Sequence, residues 1–472
     1  MAMSGAILNR EITQRNLSII CFCLFSAWEL SFLFEGYVLY SIMGNTQIEG
    51  SVITELIVFT AFIGLFSGGL LIKSQAAAKR MMIISIIVCI FGSLIFYLPF
   101  SMLWYIAIVS AAYFSSLFLA SWGFYFKMYF SSEERFKAVA EVLIYSNILM
   151  VIINGLTANT SASIGLAATI LALACTLPFL FRLESHSNIP GLPQKISLTS
   201  KPFILLCIFI LIITINSGLM YQVVNPAFAH YGLLTTYYWA IPYILALLIL
   251  RNLPSRINKT YVLYVAIAMS GLSYILFMWL DRSVASYLTI NTLMLGAFGV
   301  CDLFWWSILG SYLDYNDNAA KVLGVGLSMN VLGVFIGGVI GREIASLESS
   351  HFVTSIIAVT IIFAVLIIFP VLNSQLTKHL KSHEFLVKFA DMAKRKKDIN
   401  ISVLKNDKRL TEKESEVINL MLRGYTYKGI AEYLSLSENT IKYHIKNIYQ
   451  KFNVSSKMEL MKVLTDNEEM QQ

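Results

Sequence analysis

Residues 410–464 read LTEKESEVINLMLRGYTYKGIAEYLSLSENTIKYHIKNIYQKFNVSSKMELMKVL. Three short helical patterns lie here, separated by two tight breaks. Thr411 and Glu414 have the S/T-x-x-E spacing of a capping box, which predicts a helix starting at Thr411. Val417, Ile418 and Met421 give that helix one apolar face, and Gly424 stops it. A second helix is expected from about Thr426 to Leu434, with Ile430, Ala431 and Leu434 turned inward. Ser437 can cap a third, with Glu438 at its positive end. There Ile441, Ile445, Ile448 and Phe452 recur at helical spacing, and Lys442, Tyr443, Lys446, Asn447 and Gln450 occupy the other face.

Two helices joined by a short turn, the second basic and polar outside, is the helix-turn-helix layout. Lysines suit phosphates or guanine edges, and asparagine and glutamine amides suit adenine. The candidate DNA-contacting set is Thr426, Lys428, Asn439, Thr440, Lys442, Tyr443, Lys446, Asn447 and Gln450.

The order of residues resembles the LuxR-type (GerE-like) DNA-binding domain. Leu410-Thr411, Glu414, Glu416-Val417, Gly424, Ile430-Ala431, Leu434, Ser437, Thr440-Ile441-Lys442, His444, Ile448, Lys451 and Val454 stand where that pattern puts them. The resemblance implies double-stranded promoter DNA as a partner, and a fourth helix, from about Ser455 to Leu464, that forms a homodimer on DNA. Gly429 departs from it, standing where the family has a glutamate; a helical glycine costs roughly 1 kcal/mol.

The rest of the chain is of another kind. Of 472 residues, 57% are hydrophobic and 13% charged, with mean hydropathy +0.69. Such a composition excludes an ordinary soluble protein. Charge is sparse before Ser374 and dense after it. This predicts a membrane domain over 1–373, a juxtamembrane linker, helical in part, over 374–409, and the DNA-binding domain over 410–472. No cleavable signal peptide is expected, because the first apolar run is too long and no small-residue cleavage site follows it.

About twelve apolar runs are long enough to span a bilayer. The break from Phe181 to Pro202 divides them six and six. Lys and Arg concentrate at alternate breaks, from Arg10 and Arg15 through Lys79, Arg135 and Arg251 to Lys321; Arg282 and Arg342 fall at the others. By the positive-inside rule both termini are cytoplasmic, in a bacterial inner or sole membrane.

Twelve spans in two sixes, with both ends inside, resemble the major facilitator superfamily. The fold class is therefore expected to be all-α: a polytopic 6+6 helical bundle followed by a small four-helix LuxR-type domain. A shift of 183 positions aligns Tyr129 with Tyr312, Asn147 with Asn330 and Gly155 with Gly338, as an internal repeat would. The family's transporters carry an acidic residue in the loop after the second span. Here the region reads GGLLIKSQAAAKR, with Ile72 in the acidic place and Gln75 in that of a glycine. That resemblance puts active transport in doubt, because the acidic and basic set latches one face during alternating access.

Polar side chains inside spans are costly and mark function. The candidate ligand-binding residues are Glu29, Glu141, Asn147, Tyr221, Trp239, Asp302, Trp305 and Asn330; Trp122, Tyr125, Tyr238, Tyr243 and Trp306 add aromatic surface beside them. Such a cavity would suit a small, partly apolar molecule with a polar or cationic end. Belt aromatics and helix-bridging amides are the ordinary alternative.

The six cysteines sit in apolar runs without metal spacing. No nucleotide-binding loop, nucleophile constellation or zinc pattern stands out, so no enzyme activity, cofactor or metal is expected. The run Lys394-Arg395-Lys396-Lys397 could rest on anionic membrane lipid or lie in a solvated linker. The functional expectation is a membrane-bound, one-component transcription regulator that senses a small molecule. The alternatives are a working transporter with an attached regulator, and a DNA-binding protein with a plain membrane anchor.

Overall fold

The computed structural model describes residues 2–34, 36–44, 50–131, 134–185, 200–253, 259–347, 349–395, 410–422, 427–434, 436–454 and 459–460. Two compact units emerge: one holds Met1–Pro190 and Ser197–Ser374, and the other holds the chain from Gln375.

Twelve helices of the first unit are long and apolar enough to cross a bilayer. We number them α1 (Thr13–Met43), α2 (Val52–Leu71), α3 (Gln75–Tyr97), α4 (Met102–Tyr129), α5 (Arg135–Asn159) and α6 (Ala162–Arg182). The second six are α7 (Lys201–Ala227), α8 (Leu234–Arg251), α9 (Tyr261–Trp279), α10 (Val284–Tyr315), α11 (Ala319–Ala345) and α12 (Ser350–Leu376). An even number of crossings brings residues 13 and 376 to one side, here termed the base. The repeat pairs fall at like places: Tyr129 and Tyr312 near the ends of α4 and α10, and Asn147 and Asn330 midway along α5 and α11.

The first helix of each six is not uniform. A π-turn covers Glu29–Leu33 in α1 and Met220–Val224 in α7. Such turns insert a residue into the helical ladder and often accompany functional sites. The helix containing α12 does not stop at the membrane unit's edge. It runs as one 46-residue element from Ser350 to Arg395, so the juxtamembrane helix is a continuation of the last span and not a separate element. Residues 396–409 lie outside the described residues.

The two sixes pack where small residues let backbones meet. α11 lies along both α2 and α7, and α5 along α8. A Cβ on Gly324 would come within 2.8 Å of the Gly69 Cα and 2.6 Å of the Leu65 carbonyl oxygen. With no hydrophobic drive between helices in lipid, such close contact is the main source of association.

In the second unit α13 (Glu412–Leu422), α14 (Tyr427–Leu434) and α15 (Glu438–Lys451) enclose a small apolar core. Val417, Ile418, Met421, Ile430, Ala431, Ile441, Ile445 and Ile448 form it, joined by Leu420 and Leu460. Asn453 ends α15 in a left-handed conformation, φ 52°, and the following Val454 N–H bonds back to the Tyr449 carbonyl at 2.9 Å. The expected fourth helix falls mostly outside the described residues, which include only 459–460 of it.

Candidate functional sites

The tail's geometry is fixed at its helix starts. The Thr411 N–H and hydroxyl donate to Glu414 Oε2 at 2.8 and 2.9 Å, and the Glu414 N–H donates to Thr411 Oγ1 at 3.2 Å. That is a complete capping box. The same buried carboxylate oxygen accepts from Lys451 Nζ at 2.6 Å, which ties the start of α13 to the end of α15. Ser437 caps α15 by accepting from the Thr440 N–H at 3.1 Å.

These ties hold one face of α15 out. Asn439, Lys442, Tyr443, Lys446 and Gln450 are exposed, and Thr440 and Asn447 half-buried. Lys442 pairs with Glu438 at 2.9 Å along the helix surface. An exposed pair of this kind is worth about 0.3–0.5 kcal/mol and yields readily to a phosphate. Thr426 lies outside the described residues; Lys428 is on α14, its side chain not described.

Burial raises the Glu414 carboxyl, but the bonds from Lys451 and Thr411 outweigh it, and the net value lies below the ordinary 4.5. Its contribution to stability is present above pH 4.5 and lost as pH falls through the depressed folded-state value. Glu414→Gln should destabilise the tail by about 2 kcal/mol at pH 7. Thermal melts of a 400–472 fragment should show a drop of roughly 10 °C, narrowing as both proteins are acidified. Equal melting at pH 7 would show that the carboxylate holds nothing.

In the membrane unit the structure sorts the candidate ligand residues. Glu29 is buried within the first six helices, within reach of the Ser115 hydroxyl and near Cys89. Glu141 is held by Arg251, Nη2 to Oε1 at 2.6 Å. The Asn147 amide returns to the Leu143 carbonyl one turn back, at 2.8 Å. Asn330 accepts through its backbone from Thr214 at 3.1 Å, so its carbonyl bridges α7 and α11. Another group does come together. The Tyr243 hydroxyl donates to Asp302 Oδ2 at 2.7 Å. Tyr221 lies close to Tyr243, and Tyr221, Trp239 and Tyr243 pack on one apolar cluster. Trp305, one turn from Asp302, has a buried indole N–H with no hydrogen-bond acceptor.

Sequence reasoning missed how the base is closed. Arg135, at the start of α5, forms two bonds of 2.7 Å to Asp314 of α10 and a third of 2.7 Å to the Gly310 carbonyl. Lys127 donates to the Asn316 carbonyl at 2.7 Å. One layer further in, Phe22, Trp122 and Trp306 meet across the sixes, with centroids 4.5, 6.0 and 6.4 Å apart. At the opposite end Arg342 pairs with Glu55 at 2.5 Å, and the Asn159 amide donates to the Tyr237 hydroxyl at 2.7 Å. Ile72, in the place of the absent acidic latch, is simply buried. Gln75 fills the glycine place and donates to the Glu184 carbonyl at 3.2 Å. The signal for Arg135 was weak: it counted only as one more positive residue at the base.

Residues 408–464 match the model of the bacterial regulatory proteins of the luxR family. An uncharacterized response regulatory protein of Escherichia coli, YgeK, is 44% identical over 57 residues, 12% of this chain and 39% of that protein. The transcriptional regulatory protein DegU of Brevibacillus brevis is 48% identical over 48 residues, 10% of this chain and 20% of that one. The chain thus spans well under two thirds of these relatives, and the likeness is confined to the tail. The membrane unit resembles solved transporters in fold. The human organic anion transporter MFSD10 aligns with TM-score 0.58 at 13% identity, over 77% of this chain and 99% of that one. A bacterial homologue of the iron transporter ferroportin, in an outward-facing state, aligns with TM-score 0.61 at 14% identity over the same shares.

Proposed function

We propose that this chain, which joins a LuxR-type DNA-binding domain to a twelve-helix membrane unit of transporter fold, is a one-component transcription regulator and not an enzyme. A small molecule binds the membrane unit, and the tail binds promoter DNA as a homodimer. The reading places both termini in the cytoplasm, on the Lys and Arg bias at the base. The observation that carries it is the union of the two parts on one chain, with the last span continuing as helix to Arg395. A ligand moves the tail only if it binds two states of the membrane unit with different affinity. A coupling of about 1–3 kcal/mol would change DNA affinity roughly 5–150-fold.

The test replaces Leu376–Ala393 with a Gly/Ser segment of equal length in the full chain. Candidate compounds are screened for induction of neighbouring genes, and the inducer found is applied to both proteins. The parent should respond and the flexible variant should not, while still binding the compound. An undiminished response would sink transmission through the helix, and no ligand-dependent transcription from any neighbouring promoter would sink the sensor.

The transporter reading gains from one observation. The closure device that the loop after α2 lacks is supplied by Arg135 and Asp314, a pair that can break and re-form. Uptake or efflux of the inducer by vesicles holding the full chain separates the two.

A further inference from the structure

We infer that the membrane unit binds an organic cation, with Asp302 as its anchor and Tyr243 as the group that orients the carboxylate. The inference rests on the small-molecule reading above and gives that molecule a chemical class. Asp302 and Trp306 are one turn apart on α10 and share a face. Trp306 touches Phe22 and Trp122 of the first six helices, so this face is turned toward them and not toward lipid. Asp302 therefore stands one turn, about 6 Å, outward of the aromatic layer that closes the base. It is partly accessible although Cys301, Leu303, Trp305 and Trp306 around it are buried. A carboxylate with access to space at that depth needs a partner.

The protein supplies only half of one. Tyr243 occupies Oδ2, and no described residue hydrogen-bonds Oδ1. The described cations are engaged elsewhere: Arg135 with Asp314, Arg251 with Glu141, Arg342 with Glu55, Lys127 with a carbonyl, and Arg282 over the Phe277 ring at 4.2 Å. What faces Asp302 is aromatic. A positive charge is drawn both to the carboxylate and to indole and phenol faces. A compact metal ion would demand several oxygen, nitrogen or sulfur ligands. Among the described residues no group of three His, Cys, Asp or Glu is placed to hold one. One carboxylate oxygen with aromatic walls fits an ammonium, phosphonium or similar cation on an apolar body.

Tetraphenylphosphonium and tetraphenylborate have nearly one shape and opposite charge. Binding of each to the full-length protein in detergent is measured by equilibrium dialysis, with tryptophan quenching as a second readout. The cation should bind saturably and the anion at least tenfold more weakly. Asp302→Asn should weaken cation binding at least tenfold, Tyr243→Phe less, and Glu29→Gln should leave it unchanged. Size-exclusion profiles establish that each variant is folded, and the charge-paired probes test the parent without any substitution. Equal binding of both ions, no saturable cation binding, or an unaffected Asp302→Asn would overturn the site. Cation binding that leaves promoter output unchanged would preserve the site and count against the sensor reading alone.

Discussion

Asp314→Ala should be among the most destabilising single changes in the membrane unit. Arg135 is 2% exposed, and its guanidinium finds both carboxylate oxygens of Asp314 at 2.7 Å. Removing one partner leaves a charge out of water, at a cost of about 3–5 kcal/mol. The Gly310 and Lys127 carbonyls still accept from Arg135, which places the expected loss toward the lower figure. The full-length protein in detergent should lose its thermal-aggregation midpoint by several degrees. The double change Arg135→Met with Asp314→Leu removes both charges and keeps apolar volume. It should recover most of the stability, because a buried ion pair seldom outperforms good packing. The two variants differ in a second readout. A cysteine at Trp306 reports opening of the base by its reactivity from that side. Reactivity should rise in Asp314→Ala and fall below the parent's in the apolar double variant. If reactivity is the same in all three, the pair stabilises the fold without gating it.

What could be read in the sequence follows from how local each signal is. The capping box at Thr411 and Glu414 and the Ser437 cap each need only four consecutive residues, and both form as expected. The isoleucine stripe of α15 needs one helix and appears as core. The twelve spans need only length and apolar content. The repeat offset placed Asn147 and Asn330 at matching depths because both halves keep one helix length. The remainder depends on which helix faces which. Glu141 carried the signature of a ligand group, yet it pairs with Arg251, 110 residues away. Glu29 had the most central position, but the rotation of α1 turns it in among Ser115 and Cys89. Asp302 looked no more promising than either, and only the approach of α8 to α10 gave it the Tyr243 hydroxyl. Arg135 and Asp314 are 179 residues apart, and no periodicity connects them. Lys428 and Thr426 gain nothing from the structure, whose described side chains do not include them.

The other large effect belongs to α15. Lys442→Ala and Lys446→Ala each remove an ammonium from the exposed face opposite Ile441, Ile445 and Ile448. The side chains bury nothing, so the fold should hold and melting should shift little. Charge-assisted bonds are worth about 1.5–3 kcal/mol each, roughly ten- to a hundredfold in Kd per lysine. If both reach phosphates, the slope of log K against log salt should flatten by about 0.9 for each, and by about 1.8 for the double variant. The loss would then be uniform across operator and unrelated DNA. If one reaches a guanine edge, that variant should relax preference at one base pair and leave the others. Tyr443, 63% exposed between the two lysines, is the group placed to read a base or a thymine methyl. Tyr443→Ala should therefore alter the selected sequence more than the salt slope. Titrations over a salt series, paired with selection from a randomised duplex pool, read both quantities on the same tail fragment. Should all three variants bind like the parent, with unchanged slope and unchanged selected sequence, α15 does not enter the groove, and the search for the reading element would pass to α14 and Lys428.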